Sequence, residues 1–293
     1  MDVNRGGKIM GALGLWGMLI LFVLGASPSD ASKPPSFLSA QLQYPRVRDA
    51  LKNKKDIVKT KLSEAGLSPD NLNIVIVVYK DTGTLEIHAK PKAATEKKYK
   101  LLESYPICTF SGELGPKRQE GDEQAPEGFY FVESLNPASS YHLALKVSYP
   151  NRADRQHTPK GKRPGGMIMI HGDCVSIGCL AMTDELIEEI YLMTVYAMNN
   201  GQKQIPVYMF PFRMTAENMT YYLNGGAWPK SKERTLWTNI KQQCRDWLSG
   251  DANKYAEQKE FWENLKKGYD RWTETGEELQ IGIDKEGNYT VGE

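Results

Sequence analysis

Between Asn73 and Phe210 the chain is a succession of short β-prone runs separated by turn formers, and this pattern restricts its fold more than any other feature. The first pair is the clearest. Asn73 to Val78 (NIVIVV) is dominated by β-branched residues, Lys-Asp-Thr-Gly follows, and from Thr84 to Ala89 Leu85 and Ile87 alternate with polar neighbours, which predicts a β-hairpin. Further strands are expected at Tyr105 to Phe110, Gly128 to Val132, Tyr141 to Val147, Met167 to His171 and Ile205 to Phe210. Residues 70–215 are therefore expected to form a mostly β domain.

Helical signals flank and interrupt it. From Arg46 to Ala65, Val47, Leu51, Val58 and Leu62, with Ala50 and Ile57 beside them, keep helical spacing, and Gly66 and Pro69 stop it. Thr183 is placed to cap a second helix from Asp184 to Met198, with acidic residues in its first turn and Asn200-Gly201 after its end. Residues 216–293 read as a polar, helical extension holding five of the six tryptophans: Trp228, Trp237, Trp247, Trp262 and Trp272. Two readings of those rings are open: they pin the extension onto the β domain, or they stack on glycans.

The N-terminus looks like an address. Arg5 and Lys8 precede an apolar run from Ile9 to Ala26 and then small residues, the arrangement of a secretory signal with a cleavage point after Ala31. An uncleaved membrane anchor is the rival reading. Either way the expected location is outside the cytoplasm, in a periplasm, and membrane contact would come only through an uncleaved N-terminal segment. The expected organisation is thus 1–31 signal or anchor, 32–69 helical segment, 70–215 β domain and 216–293 extension.

Charge excludes one large class: 37 Lys+Arg against 36 Asp+Glu is not the basic balance of a nucleic-acid binder. Four cysteines are too few for a disulfide scaffold in a chain of 293 residues. Chemistry must come from a local site, and the segment from Ile170 to Asp184 is the best candidate. It places His171, Cys174, Ser176 and Cys179 among turn formers between a strand and a helix. A nucleophilic thiol needs an imidazole to take its proton and backbone N–H groups to hold a developing oxyanion; His171, Cys179 and Gly178 can supply these. The alternative is a buried inert thiol beside a core histidine. Zinc is disfavoured because His171, Cys174 and Cys179 lack a paired-ligand spacing. A serine nucleophile at Ser176 is excluded because Cys174 stands where the nucleophile elbow needs glycine. No cofactor or metal is expected.

The stretch Ile170-His171-Gly172 followed by Ser176-Ile177-Gly178-Cys179 resembles the active-site motif of the L,D-transpeptidase catalytic domain family (YkuD type), and within it the shorter-loop murein L,D-transpeptidase and peptidoglycan-lipoprotein amidase subgroup (YafK type). Gly121-Asp122, Ala125-Pro126-Glu127-Gly128-Phe129-Tyr130, Leu143-Ala144-Leu145-Lys146, Tyr149-Pro150-Asn151, Ile205-Pro206-Val207 and Phe210-Pro211-Phe212-Arg213-Met214-Thr215 are similar to that subgroup's landmarks, as are Phe261-Trp262 and Gly268-Tyr269-Asp270 in the tail. The resemblance implies a mostly β fold with α-helices: an L,D-transpeptidase-like β-sandwich domain with an N-terminal helix and a helical C-terminal extension. It implies Cys179 as nucleophile, His171 as general base and then acid, the Gly172 carbonyl as the group orienting the imidazole, and backbone N–H groups of Ile177, Gly178 and Cys179 as oxyanion donors. Ser176, Tyr149 and Arg213 are substrate-binding candidates.

The implied substrate is a peptidoglycan stem peptide, attacked at the L-centre of diaminopimelate to give a thioacyl-enzyme. A second amine as acceptor gives a crosslink, and water gives cleavage, including release of wall-linked lipoprotein. The sequence departs from the broader family in having Ile177 where His is common, Ala181 where Arg is common, and a short spacing from His171 to Cys179. Arg213 or the basic loop Arg152 to Arg163, otherwise expected as a solvated mobile turn, can replace the missing arginine. Cys174 is expected either as a packed thiol or as the partner of Cys179 in a reversible disulfide, and a Cys108–Cys244 pair is open. His88, His142 and His157 read as strand or surface residues. The alternative function is a non-catalytic wall-binding or scaffold module.

Overall fold

The β-prone runs become one sheet in the computed structural model, which describes residues 36–92, 95–224 and 255–292. The N-terminal address, Trp228, Trp237, Trp247 and Cys244 lie outside these residues. The eight strands are β1 (Asn73–Tyr79), β2 (Thr84–Lys90), β3 (Lys100–Pro106), β4 (Gly128–Ser139), β5 (His142–Val147), β6 (Met169–His171), β7 (Leu180–Ala181) and β8 (Pro206–Phe210), in the order β3-β2-β1-β8-β4-β5-β6-β7. The expected hairpin is β1 and β2, in register from Asn73↔Lys90 to Tyr79↔Thr84.

β8 enters the middle of the sheet, parallel to β1 and antiparallel to the first residues of β4. The rest of β4 pairs with β5 through two register shifts, and such irregularities bend a strand. The sheet therefore curls. Thr109, just beyond edge strand β3, bridges back to Ala181 of the opposite edge strand β7. That closure brings the segment after β3 beside the candidate nucleophile.

Successive side chains of a strand point to opposite faces, and β1 is buried on both. Ile74, Ile76 and Val78 join Val58 and Leu62 of helix α2 (Pro45–Glu64), which follows the short α1 (Phe37–Gln41), and Ile187, Ile190 and Leu192 of another helix. Val75, Val77 and Tyr79 face a second core with Phe129, Phe210, Trp262, Leu265 and Trp272. Mostly β architecture with covering helices is thus the fold. Between β5 and β6 lies α3 (Arg152–His157); α4 (Asp184–Asn199) follows β7 with the Thr183 cap in place, and α5 (Ala216–Leu223) follows β8. The described residues belong to one compact unit, and Trp262, Leu265 and Trp272 of the extension share the domain's second core.

The aromatic tail is pinned from inside. Helix α6 (Lys259–Thr275) sends Trp262, with no exposed surface, to donate its Nε1–H to Glu127 Oε2 at 2.9 Å. Glu127 Oε1 accepts from buried Lys80 at 3.0 Å and from the Gly115 N–H at 2.6 Å. Trp262 and Trp272 are therefore packing residues.

Three local expectations are corrected. The strand expected over Tyr105–Phe110 is β3, shifted to Lys100–Pro106, because the N–H groups of Ile107, Cys108 and Thr109 leave the ladder for the carbonyls of Gly83 and Ala181. The basic loop begins as α3, fixed by a reciprocal Asn151–Asp154 capping box, rather than as a mobile turn. The extension is not wholly helical: it ends in a two-stranded ribbon, β9 (Ile281–Ile283) and β10 (Tyr289–Val291).

Candidate active site

Parallel pairing of β6 with β7 sets His171 opposite Ala181, so the last residue of one strand lies beside the entry to the other, where Cys179 sits. The intervening loop is fastened at several points. The Asp173 N–H donates to Asp184 Oδ1 at 2.8 Å, the Cys174 N–H to the Met182 carbonyl at 3.1 Å, and the Met182 N–H to the His171 carbonyl at 2.7 Å. Ser176 Oγ donates to the Cys179 carbonyl at 2.6 Å. Gly178 has φ +96°, a left-handed conformation that side chains resist. Gly172 has no room for a Cβ, which would run into Asp184 Oδ1.

Cys174 overturns the cysteine expectations. It is disulfide-bonded to Cys108, with Cα atoms 5.4 Å apart, so the packed-thiol, Cys174–Cys179 and Cys108–Cys244 readings are all replaced. Closure of the sheet by the Thr109–Ala181 bridge supplies the partner, across a sequence separation of 66 residues that spacing cannot reveal. Cys179 is a free thiol. The bond also removes Cys174 as a zinc ligand; among the described residues no group of three or more His, Cys, Asp or Glu is placed to hold a metal.

His171 is buried, and its Nδ1–H donates to the Gly172 carbonyl at 2.6 Å. A carbonyl can only accept, so this bond fixes the tautomer and leaves Nε2 as the basic nitrogen. The Tyr141 ring lies 4.8 Å from the imidazole. Burial lowers the His171 pKa, against the opposing pull of the Gly172 carbonyl and Asp173. Burial raises the Cys179 pKa, and the Met169 backbone and Lys117 oppose it only in part. The two shifts favour a neutral thiol and a neutral imidazole at rest. Consistently, the thiol donates to the Met167 carbonyl, at 3.5 Å, and not to His171.

The oxyanion candidates divide. The Gly178 N–H donates to Ser111 Oγ at 2.5 Å, and Ser111 donates to the Glu123 carbonyl at 2.5 Å. Among the described residues the N–H groups of Ile177 and Cys179 have no acceptor. Ile177 itself is 78% exposed, and Met167, Val175 and Tyr141 are also exposed apolar side chains.

The substrate candidates lie apart from one another. Tyr149 is buried and donates to the Pro164 carbonyl at 2.8 Å. Arg213 is committed to Glu86 and lies over the Tyr79 ring, 4.1 Å from its centre. Ser111, Lys117 and Tyr141 escaped sequence reasoning because nothing near the Cys179 motif points to residues brought in by chain closure. His88, His142 and His157 bond Glu86, Glu188 and the Ala153 carbonyl, so they are structural.

Residues 73–209 match the L,D-transpeptidase catalytic domain. The chain is 37% identical over 220 residues to "Putative L,D-transpeptidase YafK" of Escherichia coli (strain K12), covering 74% of this chain and 73% of that protein, and equally to its counterpart in Escherichia coli O157:H7. Among solved structures, the helical cell shape determining protein Pgp2 of Campylobacter jejuni aligns over 77% of this chain and 80% of its own with 18% identity and a TM-score of 0.38. Bdellovibrio bacteriovorus Bd1075 aligns over 48% of each chain with 22% identity and a TM-score of 0.33. Likenesses this loose carry no argument about the chain.

Proposed function

The chain belongs to the L,D-transpeptidase catalytic domain family, whose substrate is peptidoglycan, and from that premise we propose that it acts on the L-centre of diaminopimelate in stem peptides through a thioacyl-enzyme on Cys179. The observation that carries the proposal is the pairing of β6 with β7, which sets an imidazole of fixed tautomer beside the one free thiol among the described residues.

In the proposed reaction Cys179 turns from the Met167 carbonyl toward His171, whose Nε2 takes the thiol proton as sulfur attacks the carbonyl. Moving that proton makes both groups charged, and each is disfavoured by burial, so the pair ionises as the tetrahedral oxyanion forms and not before. The N–H groups of Cys179 and Ile177 are the open donors for that oxyanion; Gly178 joins them if the oxyanion displaces Ser111. The imidazolium then protonates the leaving amine, the tetrahedral centre collapses to the thioester, and His171 deprotonates the acceptor. Transfer to a second stem-peptide amine is the reading that the family supports. Hydrolysis, including release of wall-linked lipoprotein, uses the same residues with water as acceptor.

We also propose that the enzyme works in the periplasm. The N-terminal address supports this, as does the Cys108–Cys174 bond, since disulfides persist in oxidising compartments.

Mass spectrometry of the full chain and Cys179→Ala with diaminopimelate tetrapeptide muropeptides and with lipoprotein-bound wall fragments tests the mechanism. A thioacyl adduct on the native protein alone, with crosslinked dimers, is the expected result. Lipoprotein release without new crosslinks would move the activity to hydrolysis; turnover by the alanine variant would overturn the mechanism.

A further inference from the structure

The Met167 carbonyl that accepts the thiol proton belongs to a segment that also lines a cleft of 840 Å³. Phe131 and Met167 line it, together with Ile281 and Ile283 of the C-terminal ribbon and Gln280 just before them. The tail therefore does more than pack: it lines the same cleft as Met167, whose carbonyl holds the Cys179 thiol.

The two ribbon strands differ in what their outer edges meet. On β10, the Asn264 side chain accepts from the Tyr289 N–H at 2.8 Å and donates to the Tyr289 carbonyl at 2.9 Å. On β9, the edge away from β10 pairs with no described strand, and the Ile283 carbonyl takes the Arg152 guanidinium at 3.4 Å. A strand edge open to a cleft is a template for an extended peptide, which a glycan cannot use in the same way. The cleft also carries both charges. Lys146 is paired with Glu133 at 3.0 Å, and exposed Arg155 and Glu278 complete the set. A diaminopimelate stem peptide offers carboxylates and a free ammonium group to match them.

We propose that this cleft seats the peptide stem as an added strand along β9, making the C-terminal ribbon the substrate wall of the active site. The inference rests on the stem-peptide reading above and names the surface that selects the peptide. Gln280 and Arg155, both exposed and both lining the cleft, are its polar contacts, and His171 and Cys179 are not part of that lining.

Hydrogen–deuterium exchange on full-chain Cys179→Ala tests it, with a disaccharide-tetrapeptide muropeptide and the same disaccharide lacking the peptide as probes. Slowed exchange at Ile281–Ile283 with the first probe alone is the expected result; no protection, or equal protection by the bare disaccharide, overturns the proposal. In the native enzyme, Arg155→Gln and Gln280→Glu are each expected to raise KM for the muropeptide about tenfold while iodoacetamide alkylates Cys179 at the unchanged rate. Unchanged KM in both variants overturns the proposal. A native protein that forms no thioacyl adduct, but whose alanine variant still shows β9 protection, removes the enzymatic reading and keeps the peptide cleft. Turnover without protection removes the cleft alone.

Discussion

Replacing Glu127 by Gln keeps the side chain's shape and removes the charge facing Lys80, in a place where both side chains are fully buried. The carboxylate uses both oxygens: Oε1 accepts from Lys80 Nζ and the Gly115 N–H, and Oε2 accepts from the Trp262 indole. An amide has one acceptor oxygen, so one side of the site must set its NH2 against another donor. Removing one partner of a buried pair costs about 3–5 kcal/mol, because the other charge remains without compensation. Set against a typical domain stability of about 5–15 kcal/mol, this is a fifth or more of the whole. With a urea dependence of about 2 kcal/mol per molar, the unfolding midpoint should fall by about 2 M. Tryptophan emission is the assay, since Trp262 reports from the site itself. Because Lys80 also holds the Gly115 and Ala125 carbonyls, at 2.8 and 2.9 Å, the wall carrying Gln124 toward Gly178 should loosen with it. A single-variant cost below about 1 kcal/mol would refute the reasoning.

Removing the disulfide as Cys108→Ala/Cys174→Ala opens a loop of 66 residues and should cost about 4 kcal/mol, read as a lower thermal midpoint; a midpoint equal to that of the native protein would show that the bond constrains nothing. Burial lifts the Asp154 carboxyl to about 6 although Asn151 and Tyr130 donate to it. A raised acid stabilises the fold fully below its unfolded pKa and loses that contribution as pH rises through about 6, so the native protein should lose about 2 kcal/mol relative to Asp154→Asn between pH 4 and 7. A pH-independent difference between the two sinks this assignment. With the thiol raised and the imidazole lowered, alkylation of Cys179 should climb only in the alkaline range; a rate plateau established between pH 5 and 7 would reveal a preformed thiolate–imidazolium pair instead.

Local chemistry made much of this protein legible without coordinates. The β-branched run at Asn73–Val78, the Thr183 cap and the turn-rich segment around Cys179 each express a preference stored in neighbouring residues, so the hairpin, helix α4 and the His171–Cys179 motif were readable. What escaped was set by contacts between distant residues. Cys108 meets Cys174, Ser111 meets Gly178 and Trp262 meets Glu127 because β8 enters mid-sheet and Thr109 closes the curl onto Ala181. Pairing of that kind depends on which edges meet after folding. The two-residue strand β7 and the C-terminal ribbon are too short to show a period of their own, and neighbours elsewhere in the chain make them strands. Sequence thus determined which residues are candidates for the chemistry; tertiary structure decided their burial, which lowers the His171 pKa and raises that of Cys179, and which distant segments line the cleft near them.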